Sequence, residues 1–369
     1  MHRLRVAIIL IMLSASFALG ATEADSVMSA PAPRRSGNWV KQLINSGFSL
    51  HDPSINYPRF ARFCLKVYDW GDRTFNSYDS TYVVSTGKNW KLTGKNYNWA
   101  ESYFMQFTGD TRLRMISEIY SDIGASIGFM ALNVGYTFNA NEIFGNPVAT
   151  RKNWDYSFTS ALFAASVSYT STDGGVRITK FGDFNLHGHS FDFNAVKQET
   201  TSASLYYFFN HRKYSQAAAY CYSKYQLKSA GSLILGLNFN KQNINLDFSA
   251  LPDDMLDYLP GEYDSYAFHY KDYNVICGYA YNWVLHPKRW LVNATVLPAI
   301  GYRHTYENST DGKKDMFSTN VTGMFSVVYN HRSLFASLTG RFDGNIYFGS
   351  SYTFMNSIES LSLVVGARF

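Results

Sequence analysis

Charge is scarce in this 369-residue chain, where Asp, Glu, Lys and Arg together make up 17% of the residues. A typical soluble domain carries about 25%. The net charge of +5 forms no basic stripe over such a length, which argues against nucleic acid as a partner. Cysteine is rarer still, confined to Cys64, Cys221 and Cys277. An odd count leaves at least one thiol unpaired and excludes a disulfide scaffold. Past residue 20 there is no run of 18 or more apolar residues, so the sequence offers no membrane-spanning helix. Glycine-rich phosphate loops, paired-cysteine metal motifs and nucleophile elbows are also missing.

Aromatic residues, by contrast, are abundant: 28 Tyr, 28 Phe and 7 Trp, or 17% of the chain. With 46% hydrophobic residues, the chain is no disordered polymer, which needs low hydrophobicity and high net charge. Residues 1–20 read as a signal peptide. His2, Arg3 and Arg5 precede the apolar core Val6–Leu13, and Ala18-Leu19-Gly20 supplies small residues before Ala21. The alternative, an N-terminal anchor, is disfavoured by the short apolar core. No cysteine follows the cleavage site to carry a lipid. Export is therefore expected.

Residues 21–36, with Pro31, Pro33, Arg34 and Arg35, read as a linker. Residues 37–87 are expected to form a short periplasmic segment. Within it, Pro58–Trp70 spaces Phe60, Phe63, Cys64, Val67 and Trp70 as on one helix face, with Arg59, Arg62, Lys66 and Asp69 elsewhere. This amphipathic helix is expected to pack under, or partly into, a barrel mouth; a loosely ordered linker is the alternative.

Residues 88–369 are expected to form a barrel, and alternation with a period of two recurs through the C-terminal half. Leu361, Leu363, Val365, Ala367 and Phe369 share one face of the last strand, opposite Ser360, Ser362, Gly366 and Arg368, with Val364 as the exception. Trp290, Val292, Ala294, Val296, Ile300 and Tyr302 oppose Asn293, Thr295, Ala299, Gly301 and Arg303. Phe317, Val321, Phe325, Val327 and Tyr329 oppose Ser318, Asn320, Thr322 and Ser326. Leu334, Ala336, Leu338 and Phe342 likewise oppose Ser333, Ser337, Thr339 and Arg341. Such runs match tilted strands crossing a bilayer with lipid outside. Only closure pairs every backbone group there.

Tight connections are read at 128–131, 172–175, 210–213, 286–289 and 330–333. Longer ones are read near 107–118, 140–153, 183–197, 241–265, 304–315 and 343–355. With 213–240 taken as one long strand, these predict a closed antiparallel transmembrane β-barrel of about twelve strands, with ten or fourteen as alternatives. Tyr281, Trp283, Trp290, Tyr302 and Tyr329 are expected in aromatic girdles.

Two stretches resemble a known family. One is Tyr78-Asp79-Ser80-Thr81-Tyr82-Val83, followed by Lys88-Asn89-Trp90-Lys91-Leu92. The other runs Phe209-Asn210-His211-Arg212-Lys213-Tyr214-Ser215-Gln216-Ala217-Ala218-Ala219-Tyr220 and continues through Gln226-Leu227-Lys228-Ser229-Ala230-Gly231-Ser232-Leu233. They are similar to the outer-membrane barrel family called domain of unknown function 4421, and the likeness covers roughly residues 75–369. The resemblance implies a location and a fold; it brings no agreed activity and no functional residues. Read physically, the small residues Ala217, Ala218, Ala219 and Ser229–Ser232 let something approach the wall closely. Gln226 and Lys228 share parity, and this wall is expected to contact the N-terminal segment; a substrate-facing patch is the alternative.

Candidate chemistry is thin. His187, His189 and Ser190 in an expected outer loop suggest a hydrolase site or a two-histidine metal site, but neighbours on a strand point apart. A polar loop is the plainer account. His331-Arg332-Ser333 lies in an expected periplasmic turn, whose Asn330-His331-Arg332 repeats the Asn-His-Arg triplet of 210–212. Asp253, Asp254, Asp257, Glu262 and Asp264 could bridge lipopolysaccharide through cations, or simply be solvated. Inward Arg303, Arg341 and Arg368 would make parts of the lumen basic. The resulting expectation is a monomeric, non-enzymatic outer-membrane barrel of a Gram-negative envelope, acting as a narrow pore, transport element or structural protein. It requires no cofactor and no metal, and its partners are outer-membrane lipid, lipopolysaccharide and, through its last strand, the barrel-assembly machinery. A lipid-modifying enzyme and a surface-binding barrel working through 241–265 and 343–355 are the alternatives.

Overall fold

The computed structural model describes residues 37–46, 51–75, 77–88, 90–107, 111–129, 132–141, 150–184, 186, 190–257, 259, 264–306, 310, 314–349 and 352–369. The signal peptide and the linker expected at 1–36 lie outside them. Two helices come first: α1 (Trp39–Asn45), whose start is capped by the Asn38 side chain on the Val40 N–H, and α2 (Arg59–Phe75). The helix read from Pro58–Trp70 is thus present and runs on to Phe75.

One large antiparallel sheet follows. Its strands are β2 (Trp90–Phe107), β3 (Arg112–Ser117), β4 (Tyr120–Phe129), β5 (Leu132–Asn139), β6 (Thr150–Thr159), β7 (Phe163–Asp173), β8 (Val176–Phe181), β9 (Phe191–Phe193), β10 (Val196–Phe208), β12 (Ala230–Asp247), β13 (Ser265–His286), β14 (Trp290–Thr305), β15 (Asp315–His331), β16 (Leu334–Phe348) and β17 (Tyr352–Arg368). The strip β1 (Val83–Ser85) pairs apart from it with β11 (Lys224–Gln226). The pairing path of the long strands runs β6-β7-β10-β12-β13-β14-β15-β16-β17-β2-β4-β5. The first and last long strands in chain order, β2 and β17, are neighbours within this path, whose two ends are β5 and β6. Lys91 lies opposite Arg368, and Phe107 opposite Tyr352. Trp90 and Phe369 exchange both backbone hydrogen bonds at 3.0 Å.

The inward face is the polar one. Gln242, Asp272, Asn282, Asn293, Thr295, Arg303, Ser318 and Ser326 are all buried. The outward face carries Leu237 at 60% exposure, Val296 at 56% and Ile300 at 57%. Val364, the exception to the alternation, faces inward and packs in a small cluster with Ala218, Ala219, Tyr222 and Phe335. Over this part of the sheet the polarity of a water-soluble core is inverted, while towards Phe107 and Tyr352 the inward side chains form an apolar core.

Several expectations need correction. Residues 213–240 are not one strand: the sheet is left at Phe208 and regained at Ala230, and the intervening chain folds inside. Alternation cannot distinguish a wall strand from a segment packed against the wall. The connection at 172–175 joins β7 to β8 at the end of the sheet opposite the turns 286–289 and 330–333. The short turn on the side of 286–289 and 330–333 is instead at 160–162, closed by Ser160 through the Phe163 backbone. The long loop read at 343–355 is mostly strand, since β16 reaches Phe348 and β17 starts at Tyr352, and the one read at 241–265 begins later than expected, because β12 reaches Asp247.

Candidate functional site

Inside the curled sheet, three layers follow one another from the end that holds Phe107 and Tyr352. The first is apolar and aromatic. Tyr103, Met105 and Phe107 of β2, Ile244 and Leu246 of β12, Tyr266 and Phe268 of β13, and Tyr352 and Phe354 of β17 point inward into one core. The turn Phe248–Ala250 and helix α4 (Asp253–Leu256) fold over it, burying Phe248, Leu251 and Met255. Phe268 and Phe354 stack with centroids 4.0 Å apart. The acidic residues Asp253, Asp254 and Asp257 stay exposed around this lid. Glu262 lies outside the described residues, among which no group of three or more His, Cys, Asp or Glu could hold a metal ion.

Below the lid lies a charged layer. Arg303 holds Asp272 in a two-point pair, Nε to Oδ1 and Nη2 to Oδ2, both at 2.6 Å. Both side chains are fully buried. Nη1 donates to the Ile346 carbonyl at 2.6 Å, and the guanidinium sits 4.0 Å from the Tyr270 ring centroid. The geometry is that of a strong fork-to-carboxylate pair. Glu101 is buried nearby and accepts from Thr172 at 3.1 Å and Tyr103 at 3.0 Å. Further down, Arg341 pairs with Asp343 at 2.5 Å, while Thr322 donates to the same carboxylate at 2.7 Å. Arg341 faces inward yet its side chain is 46% exposed, so the lumen at this level keeps room for water.

The third layer is built from residues 209–229. Asn210 opens it by accepting from the Tyr214 N–H at 2.9 Å and donating its amide to Gly231 O at 2.7 Å. Helix α3 (Gln216–Tyr220) follows, capped by Ser215. Its alanines are what allow the close fit: Ala217, Ala218 and Ala219 are all buried, and Ser326 of the wall reaches the Ala219 carbonyl at 2.8 Å. Asn282 donates to Ser215 O at 3.0 Å and to Gln226 Oε1 at 3.1 Å; Tyr220 donates to Asn293 at 2.6 Å. Arg368 grips the Tyr222 carbonyl at 2.8 Å and Asn330 at 2.7 Å, while Lys91 reaches the Cys221 carbonyl at 3.1 Å. This plug is held mainly by side-chain hydrogen bonds.

A strap lies beneath it. β1 pairs with β11, placing Val83 opposite Gln226 and Ser85 opposite Lys224. The Asp79 N–H donates to Arg212 O at 2.9 Å and the Leu227 N–H to Tyr82 O at 2.7 Å. Lys213 and Lys228 both approach the Tyr82 ring, at 5.2 and 5.3 Å. The Asp79 carboxyl is held below its ordinary range, first by the hydrogen bonds it accepts from Thr81. Burial, above all, lowers the pKa of His211 beside it in the turn.

The sequence-derived candidates fare unevenly. Arg303, Arg341 and Arg368 do point inward, but the first two are paired with Asp272 and Asp343, so the basic lumen expected from them is largely neutralised. Asp343 shares parity with Arg341 two residues earlier and was open to that reading; Asp272 and Glu101 are set opposite their partners only by strand register and curl. Gln226 is buried in the plug while Lys228 is exposed, so the two do not point together. His187 and His189 lie outside the described residues, and Ser190 is exposed. His331-Arg332-Ser333 forms a tight turn, with Arg332 at φ 53°. The triplet shared with 210–212 thus serves two different bends.

The plug and strap bring together the two stretches on which the family resemblance rested, Tyr78–Val83 and Phe209–Leu233. The model of the family described as "Domain of unknown function (DUF4421)" matches residues 77–369. The chain belongs to the DUF4421 family. The matched region of this DUF4421 chain begins with the strap, and among the described residues the strap pairs with the plug alone. No curated protein matches the chain. Several solved structures resemble it weakly. The outer membrane protease OmpT from Escherichia coli is 8% identical, with 78% of this chain and 98% of that one covered and a TM-score of 0.33. The translocator domain of autotransporter NalP from Neisseria meningitidis is 9% identical over 77% of this chain and 89% of that one, with a TM-score of 0.31. The toluene transporter TodX from P. putida is 6% identical over 76% and 90%, with a TM-score of 0.22. At these scores the likenesses carry no argument about activity.

Proposed function

We propose that this DUF4421 chain is a closed twelve-stranded outer-membrane β-barrel with an obstructed lumen: a non-enzymatic envelope protein, structural or gated, that does not conduct freely at rest. The inverted polarity of the wall is the observation that carries this reading. Leucine, valine and tyrosine look outward, while a buried Arg303–Asp272 pair looks inward. Water does not favour such a molecule; hydrocarbon does. On β13, ten residues separate outward Tyr273 from outward Trp283, which at about 3.4 Å per residue and a tilt near 40° spans roughly 26 Å, the height of an outer-membrane apolar band. Closure then needs β5 and β6, the two ends of the pairing path, to meet each other. The aromatic lid and the plug obstruct the two ends of the lumen.

Reconstitution of the pure protein in planar bilayers tests the obstruction. The expected result is a silent membrane, with stepwise currents appearing only when Arg368→Ala and deletion of 251–257 are combined to loosen plug and lid. Large steady steps from the unaltered protein would overturn the obstructed lumen; silence from the combined variant would remove gating and leave the structural role.

A further inference from the structure

Helix α2 leaves its aromatic face bare. Phe60, Phe63 and Trp70 are 62%, 64% and 59% exposed. At 100° per residue, Phe60, Phe63 and Trp70 fall within one third of the helix circumference. The exposed cations Arg59, Arg62, Lys66 and Arg73 occupy the adjoining flank. Asp69, on the far side, is taken up by His51 at 2.7 Å. A water-facing helix gains nothing from such an arrangement, whereas an interfacial helix requires it.

The position of the helix says what covers that face. Its last residue is fixed to the rim of the sheet: the Leu162 N–H donates to Phe75 O at 3.1 Å, and the Phe75 ring meets Phe163 edge-on at 5.2 Å. Phe163 points outward, since its neighbour Ala164 is buried in the lumen. It continues an outward aromatic row formed by Trp154, Tyr156 and Phe158 on β6. Trp70 packs on Phe75 at 5.7 Å. The bare face of α2 is therefore continuous with the outward surface of the wall, on the side of the turns 286–289 and 330–333.

We infer that α2 lies in the anionic phospholipid surface of the periplasmic leaflet, with Phe60, Phe63 and Trp70 among the acyl chains and Arg59, Arg62, Lys66 and Arg73 at the phosphates. This rests on the barrel reading above. Each cation near an anionic surface adds to binding, and the bare rings replace water with hydrocarbon. The helix thus lies beside the barrel mouth, held at its C-terminal end by Phe75, rather than under or inside the mouth.

Site-directed spin labelling of the full chain in phosphatidylglycerol vesicles tests it. Labels go at Phe63→Cys or Arg62→Cys in a background of C64S, C221S and C277S. Native Cys277, exposed on the outer face of β13, serves as the wall reference in a C64S/C221S protein. The expected result is an oxygen-over-nickel collision ratio at position 63 that matches the lipid range of position 277, with position 62 reading as water or headgroup. Replacing the four cations by Gln should shift position 63 toward water. A label at 63 that collides freely with the aqueous reagent overturns the inference, as does one shielded from both reagents, which would mean a protein contact. Either result leaves the barrel reading intact so long as position 277 is in lipid; position 277 in water would overturn that reading itself.

Discussion

Asp272 and Arg303 are the clearest case of what a single residue does here. A buried ion pair stabilises only if its geometry offsets the loss of water, and removing one partner strands the other. Asp272→Ala should therefore cost about 3–5 kcal/mol, read as a lowered urea midpoint of the folded protein in detergent or lipid. The paired change Asp272→Met with Arg303→Met should cost less than either single loss, because no charge is left stranded. A double variant as weak as the sum of the singles would show the pair to be two independent sites. Parity alone placed Arg303 inside. Its partner was not legible, because Asp272 lies 31 residues away and meets it only through the antiparallel register of β13 and β14.

At the scale of elements, the plug and the strap define the end of the sheet that carries the turns 286–289 and 330–333. Ser85 and Lys224 are directly opposed, and the next pair outward is hydrogen-bonded, with the Thr86 N–H donating to Ser223 O at 3.4 Å. Ser85 and Lys224 therefore form a non-bonded pair with close Cα atoms, the spacing a disulfide accepts. S85C with K224C, in a C221S background, should oxidise spontaneously, seen as the loss of both thiols in a maleimide mass shift. Free thiols under oxidising conditions would mean that the strap does not pair with the plug. The resemblance motif pointed at both pieces, and small residues pointed at a close approach. The turn read at 210–213 marked the end of one wall strand; what the pattern lacked was any mark that the next begins only at Ala230. The five residues Ala217–Cys221 look as apolar as a strand, and only the capping Ser215 hints at a helix.

For the whole molecule, the outward side chains decide where it can exist. Leu363 faces outward on β17, away from both plug and lid. Leu363→Arg should destabilise the protein by about 2–4 kcal/mol in a bilayer if it lies near the midplane, measured by denaturant-driven unfolding from liposomes. The same change at Ser362, which faces inward, should be felt through packing against the lumen and should not vary with bilayer thickness. An unchanged midpoint for Leu363→Arg would remove lipid from the outer face. The alternation made this face legible almost in full, down to Val364, whose break in the pattern marks the contact with the plug.

Local pattern by itself determined the sheet, its polarity, the amphipathic helix and the inward arginines. These follow from periods of two and 3.6 residues, which any stretch of chain displays without knowing its neighbours. Tertiary structure alone decided that Asp272 neutralises Arg303 and that 209–229 lies inside the wall instead of forming part of it. Those outcomes depend on register and curl, which bring residues dozens of positions apart to within 3 Å and leave no trace in the spacing of either.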